Sequence, residues 1–206
     1  MRARHNPAAE LSLPLRPLEL PGGRSRRRLV CFSPKLGRRV VLGSYNARKL
    51  WLALEANPLV TSFCERPRRL KDQGALLDFW VQFRSGEEEY WWLSEGEHEV
   101  PAHVDARRIR TISPAQLTGW AIPLANWDRL VAIATTWRGH RDALLEQRIV
   151  VLLGVPGSLG TLAESLAEHP PEAIEAAVAH LLASGRVVCP ELATELLSDR
   201  TPLRRA

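Results

Sequence analysis

The acids between residues 72 and 100 are the side chains best placed to do chemistry, since this stretch holds eight Asp or Glu and a single Arg. Asp78 stands in a β-like apolar run, whereas Glu87, Glu88 and Glu89 follow a Ser-Gly turn and Glu95, Glu97 and Glu99 come soon after. Carboxylates are the usual ligands of magnesium, which can activate water for phosphate hydrolysis. Acid runs beside a turn are commonly solvated loops, so we interpret the glutamates as a loop and keep relocated metal ligands as the alternative.

Histidine, serine and cysteine form no comparable pattern. His98 and His103 lack metal-ligand spacing, and no serine has a His and Asp partner that the sequence identifies; the candidates are Ser44, Ser94 and Ser113. The cysteines are odd in number, far apart and without C-x-x-C spacing, which opposes a disulfide framework or a zinc site. We therefore expect a reduced compartment, no metal site and no cofactor, with magnesium only if the acids above bind it for phosphate hydrolysis.

Length and hydropathy favour a cytoplasmic protein. The 206 residues, 45% of them hydrophobic, can bury one core and a second smaller one. No apolar run approaches the roughly 18 residues of a membrane span, and the first residues lack the apolar segment of a signal peptide. These features predict no membrane partner.

Charge is distributed unevenly along the chain. Residues 1–71 carry 16 Lys or Arg against 4 Asp or Glu, a net charge of +12, and residues 72–100 carry a net charge of −7. A basic first third attracts a polyanion through phosphate contacts, so DNA and a nucleoid-associated location are expected. A solvated, disordered arm is the alternative for residues 1–25, which are rich in Pro and Arg.

Sequence signals predict a mixed α and β front part. After the proline-rich arm come two short strands, at residues 29–32 and 40–42, and a helix that Ser44 caps and Asn57-Pro58 ends. Its apolar face contains Ala47, Leu50, Trp51 and Leu54, with Glu55 off that face. A strand at residues 59–63 and a hairpin around Ser85-Gly86 follow.

Alternation within the hairpin assigns its side chains to two faces. Leu77, Phe79, Val81 and Phe83 share one face and Asp78, Trp80 and Gln82 share the other, so Asp78 is expected to point away from the core. Adjacent Trp91 and Trp92 face opposite ways, which favours one core and one interface tryptophan over a base-stacking pair.

The last part of the chain is predicted to be helical, with a small wing. Periodic segments at residues 127–137, 140–153, 159–168 and 172–183 precede a strand at residues 186–189. Three helices with a terminal strand pair indicate a winged helix. The helix that would enter a DNA groove carries Glu172, Glu175 and His180 and no Lys or Arg, so this unit is expected to contact protein.

Three segments together resemble one family: residues 42–48, the run from Asn57-Pro58 through Phe63 to Pro67, and the strand around Asp78-Phe79. Their order and spacing are similar to those of the TnsA family, the endonuclease subunit of two-part bacterial transposases. Residues 122–127 and 201–205 resemble the C-terminal part of that family. The resemblance implies an α/β (α+β) protein: a basic arm at 1–25, a PD-(D/E)xK restriction-endonuclease-like mixed sheet with flanking helices at 26–125, and a winged-helix domain at 126–206.

The resemblance also implies a decayed active site. The family's catalytic Glu falls on Ala47, its aspartate on Asp78, and its E-x-K triplet near Ser94, while no lysine follows Lys71. One carboxylate holds magnesium loosely, so hydrolysis is not expected. In this fold the basic residues beside the first strands and before the Asp78 strand would contact phosphates: Arg24, Arg26, Arg27, Arg28, Arg38, Arg39, Arg66, Arg68, Arg69 and Lys71.

Three hypotheses follow from these patterns. The first is a DNA-binding, inactive TnsA-like subunit that contacts transposon ends and a transposase or target-selection protein. The second is an active metal-dependent endonuclease with relocated ligands. The third is a winged-helix regulator unconnected to transposition.

Overall fold

A computed structural model describes residues 15–20, 28–70, 76–94 and 100–206. It contains mixed α and β structure, as predicted. The strands are β1 (Leu29–Ser33), β2 (Arg38–Leu42), β3 (Val60–Glu65), β4 (Phe79–Phe83), β5 (Glu88–Leu93), β6 (His103–Val104), β7 (Arg107–Ile112), β8 (Gly157–Ser158), β9 (Val187–Val188) and β10 (Pro202–Arg205). The helices are α1 (Tyr45–Ala56), α2 (Pro114–Gly119), α3 (Ala121–Thr136), α4 (Ala143–Leu152), α5 (Leu159–Ser165) and α6 (Pro171–Ala183).

The central sheet has five strands in the order β3-β4-β5-β7-β6. β7 runs parallel to β5 and the other neighbours are antiparallel. The β4–β5 turn uses Gly86 at a φ of 87°, a left-handed conformation that glycine adopts without steric cost. β1 and β2 form a separate antiparallel hairpin, and β8, β10 and β9 form a small three-stranded sheet.

Helix α1 forms where the sequence predicts it. Ser44 Oγ accepts a hydrogen bond from Ala47 N at 3.0 Å, and the helix ends before Asn57. The expectation that Glu55 lies off the buried face is wrong, because Glu55 is 1% exposed. The turn between β1 and β2 covers it and supplies hydrogen-bond partners.

Both faces of the central sheet are buried. Phe79, Val81 and Trp91 pack in a large core with the helices, whereas Trp80 and Trp92 pack in a second cluster on the opposite face. The two adjacent tryptophans therefore do face opposite ways. Leu77 was expected with Phe79 but lies in the second cluster, since β4 begins only at Phe79 and Asp78 forms a bend that breaks the alternation.

The large core continues from the sheet into the C-terminal helices. Leu50 in α1, Leu130 in α3 and Val178 in α6 belong to the same buried cluster. The predicted boundary between residues 125 and 126 falls inside α3. Sequence patterns did not predict α2, β6 or β7; α2 begins at a Ser113 capping box with Gln116.

Candidate functional site

A cleft of about 310 Å³ lies between the start of α1 and the start of β4. Ala47 and Asp78, the positions onto which the resemblance places a catalytic Glu and Asp, both line it. Ser44 and Glu65 line it as well. The fold thus brings together two positions that the sequence separates.

Ala47 sits in the first turn of α1 and is 7% exposed. Its backbone N–H is bound by the Ser44 cap, which fixes where the helix starts. A methyl group supplies no ligand oxygen, so this wall of the cleft cannot hold a cation.

Asp78 stabilises the sheet through two hydrogen bonds. Its Oδ2 accepts one from Leu93 N at 2.7 Å, and its carbonyl accepts one from Arg66 N at 2.7 Å. Ser94, the substituted third position, directly follows Leu93 and donates its own N–H to Ile112 O at 3.0 Å. The end of β5 therefore lies beside Asp78, and one carboxylate oxygen positions that strand.

Glu65 is an acid of the cleft that the sequence patterns missed. Its carboxylate is 3% exposed and accepts two hydrogen bonds from Arg38, at 3.0 and 2.7 Å. This hydrogen-bonded ion pair raises the pKa of Arg38. A carboxylate already held by a guanidinium offers little to a metal ion.

Arg66 fills another part of the cleft. It is 9% exposed and has a φ of 48°, unusual for a residue other than glycine. Its Nε donates to Leu18 O at 2.7 Å and its Nη1 donates to Val41 O. Burial lowers the pKa of Arg66. Leu20, from the predicted basic arm, also lines the cleft, so residues 15–20 pack against this site.

No group of three or more His, Cys, Asp or Glu converges as a metal site among the described residues. Glu88 binds Arg107 at 2.5 Å and the Trp80 indole at 3.1 Å. Glu89 is buried, and desolvation raises the pKa of its carboxyl against the opposing effects of Arg110 and Arg108. Glu95, Glu97, Glu99 and His98 lie outside the described residues, and His103 is exposed on β6.

The predicted phosphate-binding cations occupy different environments. Arg66 lines the cleft, Arg38 is paired with Glu65 of the cleft, and Arg68 forms an ion pair with Asp105. Arg28, Arg39 and Arg69 are exposed. The remaining four lie outside the described residues: Arg24, Arg26, Arg27 and Lys71.

The outer face of the β1–β2 hairpin gathers exposed cations around an aromatic ring. Phe32 pairs across the hairpin with Arg39, and the exposed Arg28 directly precedes β1. Arg138, which follows α3, places its guanidinium 5.2 Å from the centre of the Phe32 ring. Arg138 was missed because it is distant in sequence and only the tertiary fold brings it to this face.

Helix α6, the presumptive recognition helix, is mostly buried. Ile174, Val178 and Leu181 are each at most 1% exposed. Glu175 pairs with Arg129 of α3 at 2.7 Å, and Glu172 is exposed at the first turn. A helix covered in this way offers little surface to a DNA groove.

Comparison with known proteins leaves the family of the chain open. No protein-family model matches the sequence. No curated protein matches it either. Within the described part of the chain, every helix is too short or too polar to cross a membrane.

Proposed function

We propose that this chain is a DNA-binding, catalytically inactive TnsA-like subunit of a transposition complex, which contacts transposon-end DNA and a partner transposase. One observation carries the proposal: Ala47 and Asp78 line a single cleft in which the buried Arg66 adds a guanidinium and Glu65 is paired with Arg38. The order α1, β3, β4, β5 agrees with the order of the family's motifs.

The charges in the cleft oppose the binding of the magnesium ion that hydrolysis needs. A magnesium ion needs several hard oxygen ligands to activate water. Asp78 uses one oxygen to position β5, and Glu65 is bound by Arg38. The buried guanidinium of Arg66 adds positive charge to the same space and repels a divalent cation.

DNA contact is proposed for the hairpin cluster, defined as Arg39 and Arg138 beside Phe32 together with Arg28 just before β1. These cations are exposed, and guanidinium groups bind phosphate oxygens well. The C-terminal elements follow one another as helix, strand, helix, helix and two strands, consistent with a winged helix. Because α6 is buried and acidic, we assign the C-terminal unit to contact with the partner protein and not with DNA.

Loss of catalysis is tested by a nicking assay. The full chain is incubated with magnesium or manganese and supercoiled DNA containing transposon ends, with and without an integrase-type transposase. We expect no cleavage above background from the wild type or from Asp78→Ala. Cleavage by the wild type that disappears in Asp78→Ala would show an active nuclease with relocated ligands.

DNA contact is tested by fluorescence anisotropy with a labelled duplex at several salt concentrations. Arg39→Gln and Arg138→Gln should each weaken binding, and each should reduce the slope of log K against log salt by about 0.9 per lost phosphate contact. Arg204→Gln, an exposed cation on β10, is the matched control and should leave the slope unchanged. Equal effects of all three substitutions would assign DNA binding to diffuse charge and not to the hairpin cluster.

A further inference from the structure

An apolar groove lies at the junction of the central sheet and the C-terminal helices. Its first section has a volume of about 400 Å³. Trp91, Trp120 and Trp127 form its walls together with Pro58 and Pro123. The groove is separate from the cleft at Asp78 and from the hairpin cluster, none of whose residues line it.

A second section of about 350 Å³ continues the groove toward α6 and β9. The two sections share Pro58, Pro123 and Trp127, while Leu182 and Val188 line the far end. The combined surface has residues from both the sheet half and the helical half of the molecule. Two joined sections suit an extended chain better than a compact ligand.

Positive charge stands at each end of the groove. Arg110 is exposed, lines the first section, and holds its guanidinium 5.2 Å from the centre of the Trp91 ring. Arg84 is exposed beside the second section, where its Nη2 donates to Ser184 O at 3.0 Å next to Gly185. Neither section is lined by an Asp or Glu among the described residues.

We propose that this groove, named the tryptophan groove, binds an extended segment of a partner protein in which acidic residues flank apolar ones. Apolar side chains of the segment would be buried against tryptophan and proline, and a carboxylate at its end would pair with Arg110. The exposed guanidinium of Arg110 favours an acidic segment over a basic one, and the buried Glu89 that interacts with Arg110 does not line the groove.

Bases of single-stranded DNA fit the groove less well. Stacking requires an exposed aromatic face, but Trp91 is 4% and Trp127 is 8% exposed, so only the half-buried Trp120 among the described groove residues offers one. A nucleic-acid strand also needs cations along its whole path, whereas Arg110 is the only Lys or Arg among the described residues that line the groove. The apolar walls of the groove and the position of its cation therefore both favour a protein segment as the occupant.

Selection from a display library of short random peptides on the immobilised full chain tests the proposal. We expect enriched peptides in which Asp or Glu flanks Leu, Pro or an aromatic residue. Affinity of one labelled enriched peptide is then measured by anisotropy. Arg110→Glu and Trp120→Ala should each weaken it by about tenfold or more.

Arg108→Glu is the matched control because Arg108 is exposed on the same strand but does not line the groove. It should change the affinity by less than about twofold. Trp120 is only half-buried, and thermal melting of both groove variants verifies that they remain folded.

Several outcomes overturn the proposal. These are no enriched peptide, enrichment of basic peptides, or binding that Arg110→Glu and Trp120→Ala leave intact. Oligothymidylate binding that Arg110→Glu weakens and Arg108→Glu does not would make the groove a nucleic-acid site. A dimer of the chain that Trp120→Ala dissociates would make a second copy the occupant. Duplex binding is assigned to Arg39 and Arg138, which lie outside the groove. The DNA-binding test and the peptide-binding test can therefore fail independently of each other.

Discussion

A buried polar network joins the β1–β2 turn to α1. Glu55 accepts hydrogen bonds from Ser33 Oγ, from Trp51 Nε1 at 3.0 Å and from Lys35 N at 3.2 Å. Lys35 Nζ donates to two carbonyls, Leu54 O at 2.9 Å and Asn57 O at 2.6 Å. The network ties the hairpin to the helix that carries Ala47.

Burial disfavours both charges of this network. Desolvation lowers the pKa of Lys35 to about 8, although Glu55 opposes the shift, and desolvation raises the pKa of Glu55. An unfolded lysine titrates near pH 10.4. Between the two values the unfolded chain binds more protons than the folded chain, so the contribution of Lys35 to stability increases as pH rises.

We therefore predict that replacing Lys35 changes the pH dependence of stability. The free energy of unfolding of the wild type relative to Lys35→Arg should increase from about pH 8 to pH 10, because arginine stays protonated throughout this range. Urea unfolding at a series of pH values measures the difference. Lys49→Arg, exposed on α1, is the control and should give a flat difference. A flat difference for Lys35→Arg as well would mean that Lys35 titrates normally.

Local signals in the sequence predicted part of this region and tertiary contacts decided the rest. The cap at Ser44 and the stop at Asn57-Pro58 act within a few residues, so the helix bounds were predictable. The burial of Glu55, the Arg38–Glu65 ion pair and the approach of Arg138 to Phe32 join distant segments. No periodicity within one element encodes such contacts.

At the scale of elements, Gly185 connects α6 to the segment after α1. It has a φ of 70°, and a Cβ there would lie 3.0 Å from Pro58 Cβ. The close approach allows α6 to pack onto the sheet half, and it forms one wall of the tryptophan groove. A side chain at this position would meet both backbone strain and a rigid neighbour.

Gly185→Ala is predicted to destabilise the protein by about 1–3 kcal/mol, measured by urea unfolding. Gly37→Ala separates the two causes, since Gly37 has a φ of 63° but a Cβ added there would meet no atom within 4 Å. Gly37→Ala should therefore lower the free energy of unfolding by the backbone strain alone, about 1 kcal/mol. Equal losses of unfolding free energy in the two variants would show that Pro58 moves away from the added Cβ without destabilising the protein.

The difference between local sequence signals and contacts of distant segments also explains which strands the sequence predicted. The β4–β5 hairpin was predictable from its alternation and its Ser-Gly turn, which are local. β6 and β7 were not, because β7 is rich in arginine and pairs in parallel with β5. Its place in the sheet depends on Ile109 and Ile112 packing on opposite faces, a contact between distant segments.

Among the described residues, the larger core joins the sheet half to the helical half of the molecule, and Leu130 belongs to it. This side chain is 0% exposed in α3, a helix that contacts α1, α6 and β1. Sequence patterns predicted two domains that meet near residue 125, where the structure has an unbroken helix. A shared core couples the unfolding of both halves.

Leu130→Ala is accordingly predicted to lower the free energy of unfolding by about 2.5–5 kcal/mol through the cavity it leaves. Tryptophan fluorescence reports on Trp80 and Trp92 of the sheet, among others, whereas far-UV circular dichroism reports mainly on the helices. Both signals should show a single urea transition, and Leu130→Ala should lower its midpoint equally in both. Ala132→Gly, at an exposed position of the same helix, should cost only about 1 kcal/mol. Two transitions in either signal, of which Leu130→Ala shifts only one, would instead show independent domains divided near residue 125.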